Sequence, residues 1–593
     1  MAGIAAPVLA VIKAPARLAR VRPGAPGWPD AKAWAALNRQ VEGRLVEIQS
    51  PLVRAIVEPN SEATRALFAA LRNPYFIGDD PALTQSLGLV DGWTSRPSAY
   101  AVAAGNARDF AAAVDFARTR RVRLVVKGGG HSYHGTSNAP DSLLVWTRAM
   151  KAIELHDAFV GQGCQGRVEP ATAVSVGAGA MWMHVYDAVT TRGGRYVQGG
   201  GCGTVGVAGL VQSGGFGSLS KNFGTAAANL LEAEVVTADG VIRIANACTN
   251  PDLYWALKGG GGGSFGVVTR LTLRTHALPA FIGAAFMTIE ATSDSAFRRL
   301  VEDLLDFYRD TLMVPQWGEQ IRFTANRRAI VNLVFQGIDQ AEAQATWQPF
   351  LDRVRSAPDA FALIGDPFIA AIPGRSFWDP EFWKRVPGVM KNDDRPGAPA
   401  INQYWASNGE EAGQVLTGYH TAWLPRDLLD PGKRGALVDA LLEAAGNWSI
   451  SLHFNKGLAG APASAIAATR DTATNPAVLD AFALAICAGE QPPAYPGVAG
   501  HEPDLARGRR DAAQIRAAFE PLKRLLPKPA AYVSESDFFD PDWKAAYWGE
   551  HYERLVQIKR RLDPHGLFHV HHGIDSDAWD EGGFSAAESR GRG

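Results

Sequence analysis

Three short stretches of this chain are built almost entirely of glycine, and bare backbone of that density serves few purposes in a folded protein. The first is Gly128-Gly129-Gly130, directly before His131-Ser132-Tyr133-His134-Gly135. The second runs Gly199-Gly200-Gly201-Cys202-Gly203-Thr204-Val205-Gly206-Val207-Ala208-Gly209 and continues through Gly214-Gly215-Phe216-Gly217. The third is Gly259 to Gly263, followed by Ser264-Phe265-Gly266-Val267. Glycine loses more conformational entropy on folding than any other residue, so such runs survive where backbone must bend tightly or lie against something large and flat. A bound cofactor is the simplest large flat object. Glycine turns also let backbone N–H groups close on a diphosphate. The spacing is neither the G-x-G-x-x-G fingerprint nor a P-loop, which excludes those two nucleotide sites.

The setting of the first stretch supports a cofactor. Tyr100 to Ala104 reads as a strand, Ala107 to Arg120 as a helix with Ala, Phe and Val along one side, and Val122 to Val126 as a strand that ends at the glycines. Strand, helix, strand and glycine turn is the grammar of a nucleotide-binding α/β unit. The cadence continues through the strands Ala173 to Val176, Leu231 to Thr237 and Val267 to Arg274 and the helix-like Trp182 to Arg192. From about Leu278 the glycine clusters vanish, and a second domain is expected. There, 295–312, 342–356 and 433–445 read as helices, and 320–323, 329–335 and 448–454 as strands. The proline-rich 492–503 and 521–529 read as linkers, and the tail as a strand, 531–534, and one helix, 543–562.

With 593 residues, 47% of them hydrophobic, the chain has ample core and is too long for one ordinary domain. A net charge of −1 provides no basic field, so nucleic acid is not an expected partner. No apolar run is long enough to span a membrane, so the chain reads as soluble with no membrane partner. Cys164, Cys202, Cys248 and Cys487 show no CxxC spacing, so neither a metal site nor a disulfide framework is expected. Residues 1–48 form a lead; its Ala-, Val- and Leu-rich start, then Arg, has no acidic residue before Asp30. It reads equally as the remnant of a secretion signal or as a frayed terminus, which leaves secreted, periplasmic and cytoplasmic locations open.

In this order, GGGHSY, GGGCGTVGVAG, WALKGGGGGSFGVVT and the tail from Trp548 through Asp563-Pro564 resemble the FAD-linked oxidases of the vanillyl-alcohol oxidase superfamily, with its PCMH-type FAD-binding domain. The likeness is greatest to the berberine-bridge-enzyme-like group and covers most of the chain. It implies an α+β fold of two domains. Residues 49–277 would form the FAD domain, with 531–593 returning to it, and 278–530 a substrate domain whose antiparallel sheet, covered by helices, roofs the flavin. It further implies bicovalent FAD, bonded from His131 to the 8α-methyl carbon and from Cys202 to C6. A neutral imidazole and a thiolate are suitable nucleophiles for an electron-poor ring. Gly128, Gly129, Gly130, Ser132, Gly135, Gly201, Thr204, Val205, Gly206, Gly209, Gly214, Gly215, Gly266 and Val267 would line the cofactor. Val205 matches a position at which a small β-branched residue accompanies oxidase behaviour, so dioxygen is the expected electron acceptor.

The resemblance implies hydride transfer from a substrate carbon to flavin N5 while a base takes a proton. Plant relatives that oxidise alcohols carry Tyr in a GGGYG segment as part of that base; Phe216 stands there in this chain and cannot titrate. Tyr133 matches another active-site Tyr of those relatives. Glu535 falls where relatives place an aromatic. In the segment Trp448 to Lys456, simple alternation puts Ser451, His453 and Asn455 on one face and Leu452, Phe454 and Lys456 on the other, so either His453 or Lys456 faces the flavin, but not easily both. His569, His571 and His572 are expected to pack beside the cofactor. The leading reading is an oxidase of a primary or secondary alcohol, such as a sugar or benzylic alcohol, that yields hydrogen peroxide. A biosynthetic flavoenzyme for oxidative cyclisation or desaturation, and a low-turnover flavin-binding protein, are the alternatives.

Overall fold

A computed structural model describes residues 19–586. Residues 1–18, where most of the candidate signal remnant falls, lie outside it, as do 587–593. Four sheets are present among the described residues. The first contains Leu45–Glu47, Tyr100–Ala103, Arg123–Lys127 and Ser142–Trp146. Tyr100–Ala103 and Arg123–Lys127 both run parallel to Ser142–Trp146, which lies between them. The helix Ala107–Arg120 makes the crossover; Asn106 caps it by accepting the N–H groups of Arg108 and Asp109, and Phe110, Ala113, Val114 and Ala117 form its buried side.

The second sheet has six strands and is centred on Val267–Ala277, which pairs with Leu230–Val236, Ala171–Gly177 and Arg195–Val197. The third has ten strands, led by Phe281–Ala291, Trp317–Phe323, Arg328–Gln336, Ile450–His453, Ala481–Gln491 and Val415–Pro425; the short strands Gly88–Leu89 and Trp93–Thr94 join its far edge. A small two-stranded sheet pairs Met390–Asn392 with Gln403–Trp405. Alternation gives the large sheet two different faces. Ala483, Ala485 and Cys487, with Ile321, Leu333 and Leu452, bury against the helices Asp294–Phe307, Gln340–Arg355, Pro431–Asn447 and Leu505–Leu525. Leu484 and Ile486 point the other way and pack with Trp423, Phe216 and Tyr532, so this face covers the second glycine stretch.

The tail is pinned against the third glycine stretch. Buried Lys559 donates to the carbonyls of Ser264 (2.7 Å) and Phe568 (2.8 Å) and pairs with Asp563 at 2.6 Å, while Trp548 Nε1–H donates to Gly259 O at 3.0 Å. Several expectations are corrected here. Cys164 and Cys248 form a disulfide across 84 residues. The loop of Cys164 and the turn of Cys248 meet because Gln162 N–H donates to Glu232 and Asn246 donates to Gln162 O, tertiary contacts that no local cysteine spacing reveals. The segment 521–529 is not all linker, since Pro521 lies inside the helix Leu505–Leu525, which packs on the large sheet. Residues 531–534 form a turn instead of a strand, and the expected helix 543–562 is interrupted by the turn Gly549–His551 between Trp543–Trp548 and Tyr552–Leu562. The long strands Phe281–Ala291, Val415–Pro425 and Ala481–Gln491 carry no sequence pattern that singled them out.

Candidate functional site

The first and second glycine stretches cross backbone against backbone. A Cβ on Gly129 would lie 2.5 Å from Gly206 N, and one on Gly206 would lie 2.5 Å from Gly129 N, so no other residue fits at either crossing point. Gly261 N–H donates to Gln212 O at 2.9 Å and ties the third stretch to the second. Between the three stretches and the tail runs a cleft of about 450 Å³. Gly128, Gly129, Gly130, His131, Ser132, Tyr133, Gly135, Val205, Gly206, Gly209, Gly266 and Glu535 line it. So do His569, His571 and His572; His571 stacks on Phe538 at 3.7 Å and His572 on Trp543 at 5.0 Å. Gly201, Cys202, Thr204, Gly214, Gly215, Val267, His453 and Lys456 are outside the cleft wall. Val267 points into the apolar core, and its neighbour Val268 lines the cleft instead.

Cys202 and His131 are nevertheless joined through one side chain. The buried Thr204 hydroxyl lies 3.3 Å from His131 Nε2 and 3.3 Å from Cys202 Sγ. Loss of hydration pushes the His131 imidazole down to about 4, so it is neutral near pH 7. With Nε2 engaged by Thr204, Nδ1 is the nitrogen left for a covalent bond. The Cys202 thiol donates to Asn408 Oδ1 at 3.2 Å, and loss of hydration, reinforced by nearby Glu411, pushes it up to about 11. Glu411 is itself raised to about 7 by partial desolvation and by Glu490.

The sheet face above carries the remaining candidates. His453 ends the strand Ile450–His453, and Phe454–Lys456 is a 3-10 turn, so strand alternation stops and Lys456 does not take the face opposite His453. That corrects the either-or expectation: Lys456 Nζ pairs with the Glu535 carboxylate, and its charge, after loss of hydration, helps to hold the His453 imidazole well below its usual range. The Tyr133 ring packs on Tyr419 with centroids 5.2 Å apart, and loss of hydration, then Glu411 and Glu535, drives its phenol well above its usual value. Phe216 sits edge-on to Tyr532 at 4.9 Å in an apolar box. Sequence reasoning missed Ser218, which directly follows the second glycine stretch, and Asn408, Glu411, Tyr419 and Glu319, which belong to no glycine motif and arrive from other elements of the fold. Among the described residues no group of His, Cys, Asp or Glu has the arrangement of a metal site.

The residues present fit a flavin nucleotide. At Gly128 a Cβ would meet nothing closer than 3.8 Å, and at Gly209 and Gly262 nothing within 4 Å, although all three line the cleft. Their backbone is bare on the side that a cofactor would occupy. Comparison with known proteins agrees with this reading. Residues 98–246 match the model of the FAD binding domain, and 531–575 match the model described as berberine and berberine like. The chain is 26% identical to the FAD-linked oxidoreductase ZEB1 of Gibberella zeae, over 94% of this chain and 92% of that protein. It is 27% identical to the VAO-type flavoprotein oxidase VAO615 of Thermothelomyces thermophilus, over 95% and 93% respectively. The crystal structure of the VAO-type flavoprotein MtVAO615 of Myceliophthora thermophila superposes with a TM-score of 0.76 at 25% identity, covering 95% of this chain and 98% of that one. Glucooligosaccharide oxidase of Acremonium strictum, described with a 6-S-cysteinyl, 8α-N1-histidyl FAD, shares the fold at a TM-score of 0.61 and 19% identity, over 81% and 92%. No helix among the described residues is long and apolar enough to cross a membrane.

Proposed function

We propose that this chain, an FAD-dependent oxidoreductase of the berberine-bridge-like branch of the VAO-type flavoproteins, is an oxidase that holds its FAD through both His131 and Cys202. The observation that carries the reading is the Thr204 hydroxyl, within hydrogen-bond distance of Cys202 Sγ and of His131 Nε2, which holds the ring with Nδ1 free at the edge of a glycine-walled cleft. His131 is neutral and offers Nδ1; Cys202 is held by Thr204 and Asn408 and must shed its proton to bond. FAD, when bound, supplies the acceptor for a hydride and the two electrons it carries. The donor we propose is a CH–OH group of an alcohol, sugar or benzylic alcohol, and the final acceptor dioxygen, giving hydrogen peroxide. Tyr133 and Tyr419 would flank the substrate, and the Lys456–Glu535 pair would fix the tail segment against the sheet. Val205 in the cleft wall and a relative described as an oxidase support dioxygen as acceptor. In this reading 49–277 with 531–593 carries the cofactor and 278–530 the substrate.

The test is acid precipitation of the purified protein followed by absorbance and peptide mapping. Flavin is expected in the pellet, on the peptides of both His131 and Cys202, and His131→Ala and Cys202→Ala should each leave one attachment. A colourless pellet, or a His131→Ala variant with the wild-type adduct, sinks the attachment proposal. Peroxide release with a panel of alcohols decides the oxidase assignment.

A further inference from the structure

The oxidase reading needs a group that accepts the substrate's hydroxyl proton, and the expected candidates are compromised. Lys456 and Glu535 are paired with each other. The Tyr133 phenol is driven up and the His453 imidazole down, both chiefly by loss of hydration, and Phe216 has no proton to exchange. Among the carboxylates that no motif predicted, Glu411 ends the helix Ala406–Glu411, off the large sheet, and Glu319 stands on the sheet with an unusual backbone. Glu319 lies within the strand Trp317–Phe323, yet its φ is +65°, a left-handed conformation that costs an L side chain free energy and persists only where the surrounding packing holds it. The preceding residue shows how it is placed. A Cβ on Gly318 would lie 2.0 Å from Ser218 O, so this strand is pressed directly onto the end of the second glycine stretch. The Ser218 hydroxyl donates to the Glu319 carboxylate, and Glu319 Oε1 is 3.9 Å from where a Cβ of Gly201 would stand. Gly201 precedes Cys202. If Cys202 bonds flavin C6, the carbon beside the ring junction that carries N5, then a carboxylate at Gly201 borders the edge that receives hydride.

We propose that Glu319 takes the substrate's hydroxyl proton as hydride leaves the adjacent carbon, with Ser218 as its positioning residue; this rests on the oxidase reading above. The substrate C–H bond breaks and its electron pair goes with hydrogen to FAD. The O–H proton goes to Glu319, and the carbon–oxygen double bond forms. Dioxygen then removes the two electrons, with two protons, one of them returned by Glu319, to give hydrogen peroxide. The ionisable groups that act on Glu319 are Lys456, which favours its anion, and Glu535, which opposes it, while loss of hydration raises its carboxyl above the ordinary range.

Glu319→Gln keeps the shape and the hydrogen bond from Ser218 but accepts no proton. Covalent flavin content should match the wild type, and so should the thermal midpoint at low pH, where both side chains are neutral, while anaerobic bleaching of the flavin by substrate should slow about 100-fold or more, with Glu319→Asp in between. A second arm needs no substrate. Sulfite is an anion that adds at flavin N5, so removing a carboxylate beside N5 should tighten its binding about tenfold. Ser218→Ala should shift the pH profile of bleaching more than its maximum. Bleaching of Glu319→Gln within about threefold of wild type, or unchanged sulfite affinity, overturns the proposal. Should the wild type itself resist bleaching by every alcohol tried, the oxidase reading fails instead, and the sulfite arm still decides whether Glu319 borders N5.

Discussion

The glycine stretches and the large sheet bring chemistry to the same place by different means. Around the cleft, the chemical residues are near neighbours in sequence, and the fold only has to cross two loops at Gly129 and Gly206 to bring His131 and Cys202 to the hydroxyl of Thr204. On the sheet, Glu319, Tyr419 and the neighbours His453 and Lys456 come from three separate segments, and Glu535 joins them from the tail. A local motif can be read as text. A site assembled across strands exists only once register and turns are set.

The strongest way to break this contrast is at the crossing. Gly206→Val should cost more than about 4 kcal/mol and abolish soluble folded protein, because the backbone on the other side cannot retreat. Gly209→Ala, a few residues on in the helix Val207–Gln212, meets no protein atom within 4 Å and should leave the cofactor-free fold as stable or more stable by roughly 0.5 kcal/mol. FAD occupancy should nevertheless fall, since the added methyl enters the cleft. Equal stability of the two variants removes the distinction between glycines that serve the protein's own packing and glycines that serve the ligand.

On the sheet side the matching test is the ion pair. Lys456→Met strands the Glu535 carboxylate in a largely enclosed site and should destabilise by roughly 3 kcal/mol, most of which Lys456→Met with Glu535→Gln should restore. Thermal or urea unfolding of four proteins, the wild type, Lys456→Met, Glu535→Gln and the double variant, reads the cycle, and additive losses would show that the pair is not coupled.

How far the sequence carried follows the same divide. The helix Ala107–Arg120 was legible from apolar spacing alone, and His131 and Cys202 stood out by their glycine neighbours. Lys456 was misplaced because alternation was extended through residues 454–456, where the chain turns into a 3-10 helix. Glu319 was invisible because its positive φ and its Ser218 contact depend on the strand pressing against the glycine loop. The Cys164–Cys248 bond likewise depends on two turns that meet only in the folded sheet. Spacing rules see one element at a time, and each of these features belongs to two.

A last test separates the two regions by the sign of their pH dependence. Buried His134, beside the first glycine stretch, has its imidazole pushed down to about 4 by loss of hydration and then by His571, from an unfolded value near 6.5. Between those values the unfolded chain binds the extra proton, so His134 makes stability fall as pH falls, by about 1.4 kcal/mol per pH unit. Glu319 on the sheet has the opposite sign. Its carboxyl is raised by loss of hydration, so the folded chain binds the extra proton, and its share of stability is present at low pH and lost as pH rises past the ordinary carboxylate range. Urea unfolding from pH 4 to pH 8 should therefore show His134→Gln losing less stability on the acid side than the wild type, and Glu319→Gln losing less on the neutral side. If both substitutions flatten the same limb, the histidine-lined cleft and the carboxylate-bearing sheet face are one electrostatic environment and not two.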